Sequence, residues 1–308
     1  MRIAFFGTPE FAVPSLEALV ESHQAVAVVV TQPDRPRGRS HSNLEPTPVK
    51  ARAESLAIPV LQPDRPRGDD FAAALREARL DLGVVVAYGH ILKPEILAIP
   101  RLGMINVHAS LLPAWRGAAP IQWAIAHGDR TTGVSIMQME AGLDSGPVLL
   151  AKELPIGAEE TGGELTRKLA RLGARALAEA IPLIESGQAT FTPQDHDAST
   201  YAPKIGREVA RIDWSLPAAE VAHRIRAFDP VPGAWTAAST GELKCFSPRV
   251  VGGAAAVPGT VLEAGSVLQV ATGAGAIEIG EVKPAGKGRM KAQAWLRGRA
   301  ARVGEVFR

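Results

Sequence analysis

An asparagine and a histidine two residues apart, Asn106-Val107-His108, close a short apolar run and lead into Ala109-Ser110-Leu111-Leu112-Pro113. If that run is a strand, alternation puts both polar side chains on one side. Downstream, Gly142-Leu143-Asp144-Ser145-Gly146 holds an aspartate between glycines, in a loop able to carry a carboxylate to the same cleft. An amide, an imidazole and a carboxylate together suit a proton-coupled acyl transfer. Asn and His donors stabilise the oxyanion of a tetrahedral intermediate, and the carboxylate holds the charge state of the imidazole or helps move the proton of an amine. No serine or cysteine nucleophile with a fixed base is evident, so direct transfer from a donor is favoured over an acyl-enzyme. An Asn-x-His pair by itself is also an ordinary satisfied structural pair, and the third group is what turns the reading toward chemistry. The remaining histidines, His23, His41, His90, His127, His196 and His223, show no metal-ligand spacing, and no metal is expected.

Such a cleft needs strands to end at it. Arg2 to Phe6, Ala25 to Thr31, Leu82 to Ala87 and Met104 to His108 are short apolar runs followed by turn residues, as buried parallel strands require. Helices are expected between them at Pro14 to Ser22, Pro48 to Ala57 and Asp69 to Leu80. The alternation predicts a Rossmann-like, doubly wound α/β domain with a mostly parallel sheet, whose ligands bind beyond the carboxyl ends of the strands. Gly133 to Met139 and Pro147 to Leu154 continue the sheet, and Glu159 to Gly187 reads as a closing helix. The domain is therefore placed at residues 1–187, with a polar, proline-containing linker at 188–205. From 206 to 308, a helix at Pro217 to Phe228 precedes short strand-like segments separated by Gly and Pro, which indicates a small barrel or sandwich, an OB-like β-barrel being one form. The heptapeptide Gln32-Pro-Asp-Arg-Pro-Arg-Gly38 recurs as Gln62 to Gly68, and each copy comes after a short apolar strand. Both are read as strand-end loops, whose roles need not be the same.

The 308 residues, 46% hydrophobic and 21% charged, exclude disorder as the main state and suit two domains. A single cysteine, Cys245, excludes an internal disulfide and a Cys-rich zinc site. No apolar run approaches the ~18 residues of a membrane span, and the first residues lack a signal-peptide pattern, so a cytoplasmic location away from any membrane is expected. The net charge of +2 hides an asymmetry: residues 206–308 carry 14 Lys and Arg against nine Asp and Glu, and from Lys283 onward eight cations face Glu305 alone. A basic appendage is the footprint of a polyanion-binding surface, although a solvated face has the same composition.

Together, Phe6 to Pro9, Thr31 to Pro36, Val85-Val-Ala-Tyr-Gly89, the Asn106 to Pro113 cluster, Trp115 to Gln122 and Gly142 to Gly146 resemble the methionyl-tRNA formyltransferases of the folate-dependent formyltransferase family. The likeness continues through Ala210 to Ser215, Ile225 to Phe228 and Lys283 to Lys287. The resemblance implies Asn106, His108 and Asp144 as catalytic residues. It implies a folate contact at Ser110, Leu111, Leu112 and Pro113 and at the Val86, Tyr88 and Gly89 strand end, with 10-formyltetrahydrofolate as cosubstrate. It further implies a monomer acting on the methionine of initiator tRNA for translation initiation. Arg39 would meet the acceptor end, and Lys287, Arg289 and Lys291 would meet phosphates in an OB-like tRNA-binding domain. Where the family continues this loop with glycine and lysines, Ser40-His41-Ser42-Asn43 is less basic.

The alternative is a formyltransferase for a sugar nucleotide amine or glycinamide ribonucleotide, which would need neither the basic second domain nor the Gln32 to Arg39 loop. A nicotinamide-dependent dehydrogenase is disfavoured because Gly7-Thr-Pro-Glu-Phe lacks the Gly-x-Gly-x-x-Gly that cradles pyrophosphate. A noncatalytic RNA-binding module would leave Asn106, His108 and Asp144 without purpose.

Overall fold

The computed structural model describes residues 1–37, 43–253, 256–298 and 300–308. Two units divide the chain, the first of Met1–Pro120, Thr131–Pro155 and Thr166–Ala202, the second of Ile121–Arg130, Ile156–Leu165 and Pro203–Arg308. Of the stretch expected as a linker, 188–202 lies in the first unit and 203–205 in the second.

Up to Ala202 the elements run β1 (Arg2–Gly7), a 3-10 turn at Glu10–Ala12, α1 (Val13–Glu21), β2 (Ala25–Val30), β3 (Arg35–Arg37), β4 (Asn43–Glu45), α2 (Pro48–Ser55), β5 (Val60–Leu61), α3 (Asp69–Glu77), β6 (Leu82–Val86), α4 (Pro94–Leu97), β7 (Met104–His108), β8 (Arg116–Gly117), α5 (Pro120–His127), β9 (Thr131–Gln138), β10 (Val148–Pro155), α6 (Gly162–Glu185) and β11 (Tyr201–Ala202). The main sheet has the order β10-β9-β7-β6-β1-β2-β5. Its five strands from β7 to β5 are parallel, whereas β9 runs antiparallel to β7 and β10 antiparallel to β9. The chain winds outward from β1 through β2 to β5, then returns to β6 and β7 on the other side. The order thus reverses between β1 and β6, the place where a doubly wound sheet opens a crevice beyond its strand ends.

Local sequence explains these elements. All of β6 is buried, as an apolar run in a sheet covered on both faces must be, while β10 alternates half-buried and exposed residues toward its end, as an edge strand does. In α3, Asp69 and Asp70 occupy the first turn, where the helix dipole favours carboxylates, and Phe71, Ala72 and Leu75 enter the core beside Phe6, Val30, Tyr88 and Met104. The buried residues of α6, among them Leu169, Leu172, Ala176, Ala180 and Ile184, recur three or four apart on one face. Gly173 on this helix lets it approach β7, because a Cβ there would lie 2.9 Å from Val107 Cγ1. Since alternate residues of a strand point to opposite faces, Asn106 and His108 face away from α6.

The second unit holds α7 (Ala218–Ala227), β12 (Trp235–Ala238), β13 (Gly241–Val251), β14 (Val261–Ala264), β15 (Leu268–Ala271), β16 (Ala276–Pro284), β17 (Met290–Lys291) and α8 (Ala292–Leu296). Its antiparallel sheet runs β12-β13-β16-β15-β14, with β17 added to β16. The last residues bridge the two ends of this order. Phe307 donates its N–H to Gly259 O, and Arg308 and Ala237 exchange main-chain hydrogen bonds, which partly closes the sheet into a barrel. Cys245 is wholly buried here, and burial pushes its thiol up to about 12, so it behaves as a small apolar residue. Among the described residues no helix is long and apolar enough to cross a membrane.

Candidate active site

The strand end of β7 presents Asn106, half-buried, and His108, which is 5% exposed. His108 Nε2 lies 3.0 Å from the carbonyl of Trp115. A carbonyl only accepts, so Nε2 carries the hydrogen, and in the neutral ring the lone pair is on Nδ1. That nitrogen is 3.7 Å from Asp144 Oδ2. Asp144 itself sits at φ +46°, in the left-handed region that Asp tolerates better than most residues. Its Oδ2 accepts the Gly117 N–H at 2.8 Å, and its Oδ1 is 3.5 Å from Asn106 Nδ2. The three residues expected from sequence therefore converge beyond one strand end.

Irregular backbone holds this geometry. Trp115 has φ +58°, and its N–H donates to Thr200 Oγ1 at 2.8 Å while the next N–H, of Arg116, donates to Thr200 O at 2.9 Å. Arg116 and Gly117 form β8, which pairs with β11. Gly117 is required: its φ is +120°, and a Cβ would come within 2.7 Å of Ala202 O. The loop after β7 is fixed from β9 by Ser135, fully buried, whose Oγ donates to Ser110 O at 2.8 Å and accepts the Leu112 N–H at 3.0 Å. Ser110 is itself fully buried and donates to Ala114 O, leaving Leu111, Leu112 and Pro113 half-buried.

At the end of β6, Val86 is buried and Gly89 is exposed at φ +83°. The Tyr88 ring lies in the core, 1% exposed and edge-on to Phe6. Its hydroxyl has no partner among the described residues, and burial pushes it up to about 12. Only the main chain of Tyr88 takes part in the polar crevice, its carbonyl accepting from Thr8 Oγ1 and Gln32 Nε2, both at 3.0 Å. Sequence reasoning singled out neither Ser135, Thr200 nor Gln194, which together fix the loops of the site. Their one signal is a hydroxyl inside the short apolar stretch from Val134 to Met137, for Ser135. Thr200 and Gln194 stand in a polar stretch that local pattern does not distinguish from a linker.

Arg39 lies outside the described residues, as do Ser40, His41 and Ser42. In the second unit, Lys287 is exposed and has no ion pair among the described residues. Arg289 instead binds both oxygens of Asp229, at 2.7 and 3.1 Å, reaches Glu281 at 2.7 Å and stacks 4.1 Å from the Phe246 ring centre. Lys291 pairs with Glu281 at 2.9 Å. Lys291 first and Arg289 next hold the Glu281 carboxyl below its ordinary range. Among the described residues no cluster of three or more His, Cys, Asp or Glu is arranged to hold a metal ion.

A doubly wound sheet followed by a partly closed barrel fits the two-domain architecture of the formyl transferases. The chain belongs to that family: the formyl transferase pattern matches residues 1–181, and the pattern of the formyl transferase C-terminal domain matches residues 204–300. Among its relatives, the methionyl-tRNA formyltransferase of Jannaschia sp. is 47% identical over 307 residues, covering 100% of both chains. That of Symbiobacterium thermophilum is 49% identical over 311 residues, covering 100% of this chain and 95% of the relative. The fold also matches the solved structure of WlaRD, described as a sugar 3N-formyl transferase in the presence of dTDP and 5-N-formyl-THF, at 17% identity and a TM-score of 0.67, over 93% of this chain and 98% of that one.

Proposed function

We propose that this chain transfers the formyl group of 10-formyltetrahydrofolate to the α-amine of methionine on initiator tRNA. The observation that carries the reading is the convergence of Asn106, His108 and Asp144, in a chain whose full-length relatives at 47% and 49% identity are methionyl-tRNA formyltransferases. The neutral amine attacks the formyl carbon, the new C–N bond forms, and the carbonyl oxygen gains negative charge in a tetrahedral intermediate. Asn106 Nδ2 donates to that oxygen; its 3.5 Å contact to Asp144 is long, so little is lost when it turns to a better acceptor. The bond to folate N10 then breaks. N10 takes up one proton and the amine gives one up, so charge and atoms balance.

His108 and Asp144 handle those protons. With Nε2–H committed to the Trp115 carbonyl, His108 Nδ1 and the carboxylate face one another as two acceptors. A donor between them relieves the repulsion, and a substrate amine bearing two N–H groups supplies it while being oriented for attack. Once protonated, the imidazole has an N–H on this side from which the oxyanion or N10 takes its proton. The folate is read as lying along the main chain of Val86, Tyr88 and Gly89 and against Ser110, Leu111, Leu112 and Pro113. Residues 1–187, with the ties from Gln194 and Thr200 after them, form the catalytic domain in this reading and 206–308 the tRNA-binding domain. There Lys287, Arg289 and Lys291 are the phosphate-facing set, Lys287 free of carboxylates among the described residues and the other two shared with Asp229 and Glu281. Arg39 is assigned to the acceptor end.

The test is to mix the protein with 10-formyltetrahydrofolate and methionyl initiator tRNA and to look for N-formylmethionine. Product with a sugar nucleotide amine, and none with the tRNA, overturns the assignment.

A further inference from the structure

We infer that Gln194 is the positioning residue for Asp144, acting through the main chain of the loop that carries the carboxylate. The inference rests on the role proposed above for Asp144. Gln194 is 8% exposed, and two residues before it Thr192 exchanges main-chain hydrogen bonds with Val148 at the start of β10, so its backbone is tied to the strand that follows the Asp144 loop. Its Nε2 donates to the carbonyls of both Asp144, at 2.9 Å, and Gly146, at 2.7 Å. Its Oε1 accepts from Arg116 Nε at 3.1 Å and Nη2 at 2.7 Å. The amide orientation has no freedom: carbonyls cannot donate and a guanidinium cannot accept, so a flipped amide would meet like groups on both sides. All four hydrogen-bonding sites of the side chain are filled.

These contacts close a ring around the carboxylate. Arg116 and Gly117 are adjacent; the side chain of the first holds Gln194, which holds the main chain of Asp144, and the N–H of the second holds Asp144 Oδ2. Asp144 at φ +46° has no regular secondary structure to keep it there. The two clamped carbonyls flank Ser145 and fix the loop on either side of the turn, so the carboxylate is delivered to Asn106 and His108 by a tie that its own side chain does not make. Arg116 is in turn steadied by His196 Nδ1, 3.1 Å from Nη2.

Gln194→Glu keeps the volume and gives Arg116 a better acceptor, but it sets a carboxylate against two carbonyls. We expect kcat with methionyl-tRNA to fall by roughly 10- to 100-fold, the range for loss of a group that orients another, with KM for 10-formyltetrahydrofolate and for tRNA within about 2-fold of the parent. In an Asp144→Asn background the same change should cost less than about 2-fold, because a residue that acts only through the carboxylate has nothing left to position. A folded Gln194→Glu protein with parental kcat, beside an Asp144→Asn protein whose turnover has fallen at least ~100-fold to a still measurable level, overturns the positioning role alone. An equal loss in both backgrounds also overturns it. Parental turnover in Asp144→Asn removes the reading of the site and this inference with it. If Gln194→Glu does not fold, Arg116→Lys decides: it leaves Gln194 in place but loses the two-pronged grip on Oε1, and it should lower kcat, not raise KM, and only where Asp144 is intact.

Discussion

In the neutral imidazole, with Nε2–H on the Trp115 carbonyl, His108 Nδ1 and Asp144 Oδ2 are two acceptors 3.7 Å apart that need a donor between them, and this makes their replacement informative. His108→Ala removes the imidazole and opens space against the Trp115 carbonyl. It should lower turnover at least ~100-fold, the low end for a general acid–base or oxyanion donor, with the far-UV circular dichroism and the unfolding transition retained. A folded variant with near-parental turnover takes His108 out of the chemistry. Asp144→Asn keeps an oxygen for the Gly117 N–H and so preserves the loop, but it loses the charge. Turnover should again fall at least ~100-fold while folate binding, measured by calorimetry, stays within about 2-fold, since none of the residues proposed to contact folate depends on that charge. Unchanged turnover across pH would contradict a proton-handling role.

At the scale of elements, the main sheet carries Asn106 and His108, and a pair of two-residue strands fixes the loops around them. The pairing of β8 with β11 brings Thr200 to Trp115 and sets the Gly117 N–H against Asp144. Gly117→Ala must push a Cβ against Ala202 O and the Tyr201 ring at an unfavourable φ. We expect about 1–3 kcal/mol of destabilisation and a loss of kcat beyond what that destabilisation explains at 25 °C, because the displaced strand takes two anchors of the site with it. Thermal unfolding and steady-state kinetics on the same preparation separate the two, and full activity with a lowered Tm would show that β8 is only structural.

Across the whole chain, positive charge accumulates in the second unit, but its cations are not equivalent. Lys287 projects into solvent, whereas Arg289 is tied to an Asp229 carboxylate that is 6% exposed as a residue, and Lys291 to Glu281. Lys287→Ala should leave stability unchanged and reduce the slope of log K for tRNA against log salt by roughly 0.7 to 0.9, the loss of one phosphate contact. Arg289→Ala leaves a buried carboxylate without its charged donors and should cost about 1.5–3 kcal/mol in urea unfolding. Equal salt slopes for Lys287→Ala and the parent would mean that this cation is only solvated surface.

Local pattern was enough to place the main strands and helices to within a few residues, because apolar periodicity and turn residues are properties of short segments. It was also enough to find Asn106, His108 and Asp144: two lie on one strand at alternate positions, and the third is marked by its flanking glycines. What short segments do not contain is the identity of distant partners. The two copies of Gln-Pro-Asp-Arg-Pro-Arg-Gly have the same propensities, yet the first enters strand β3 and sends Gln32 to the Tyr88 carbonyl, while the second forms no strand and sends Gln62 back to the Gln32 carbonyl and Asp34. The difference comes from the chain downstream of each copy: the Asn43–Glu45 partner strand in one case, the Asp69–Asp70 helix start in the other. The same limit hid Gln194 and Thr200 in an unremarkable polar stretch and made Arg289 look like its neighbour Lys287. Hydrogen-bonded ties across 50 or more residues are set by how the chain folds back on itself, and only the tertiary structure decides them.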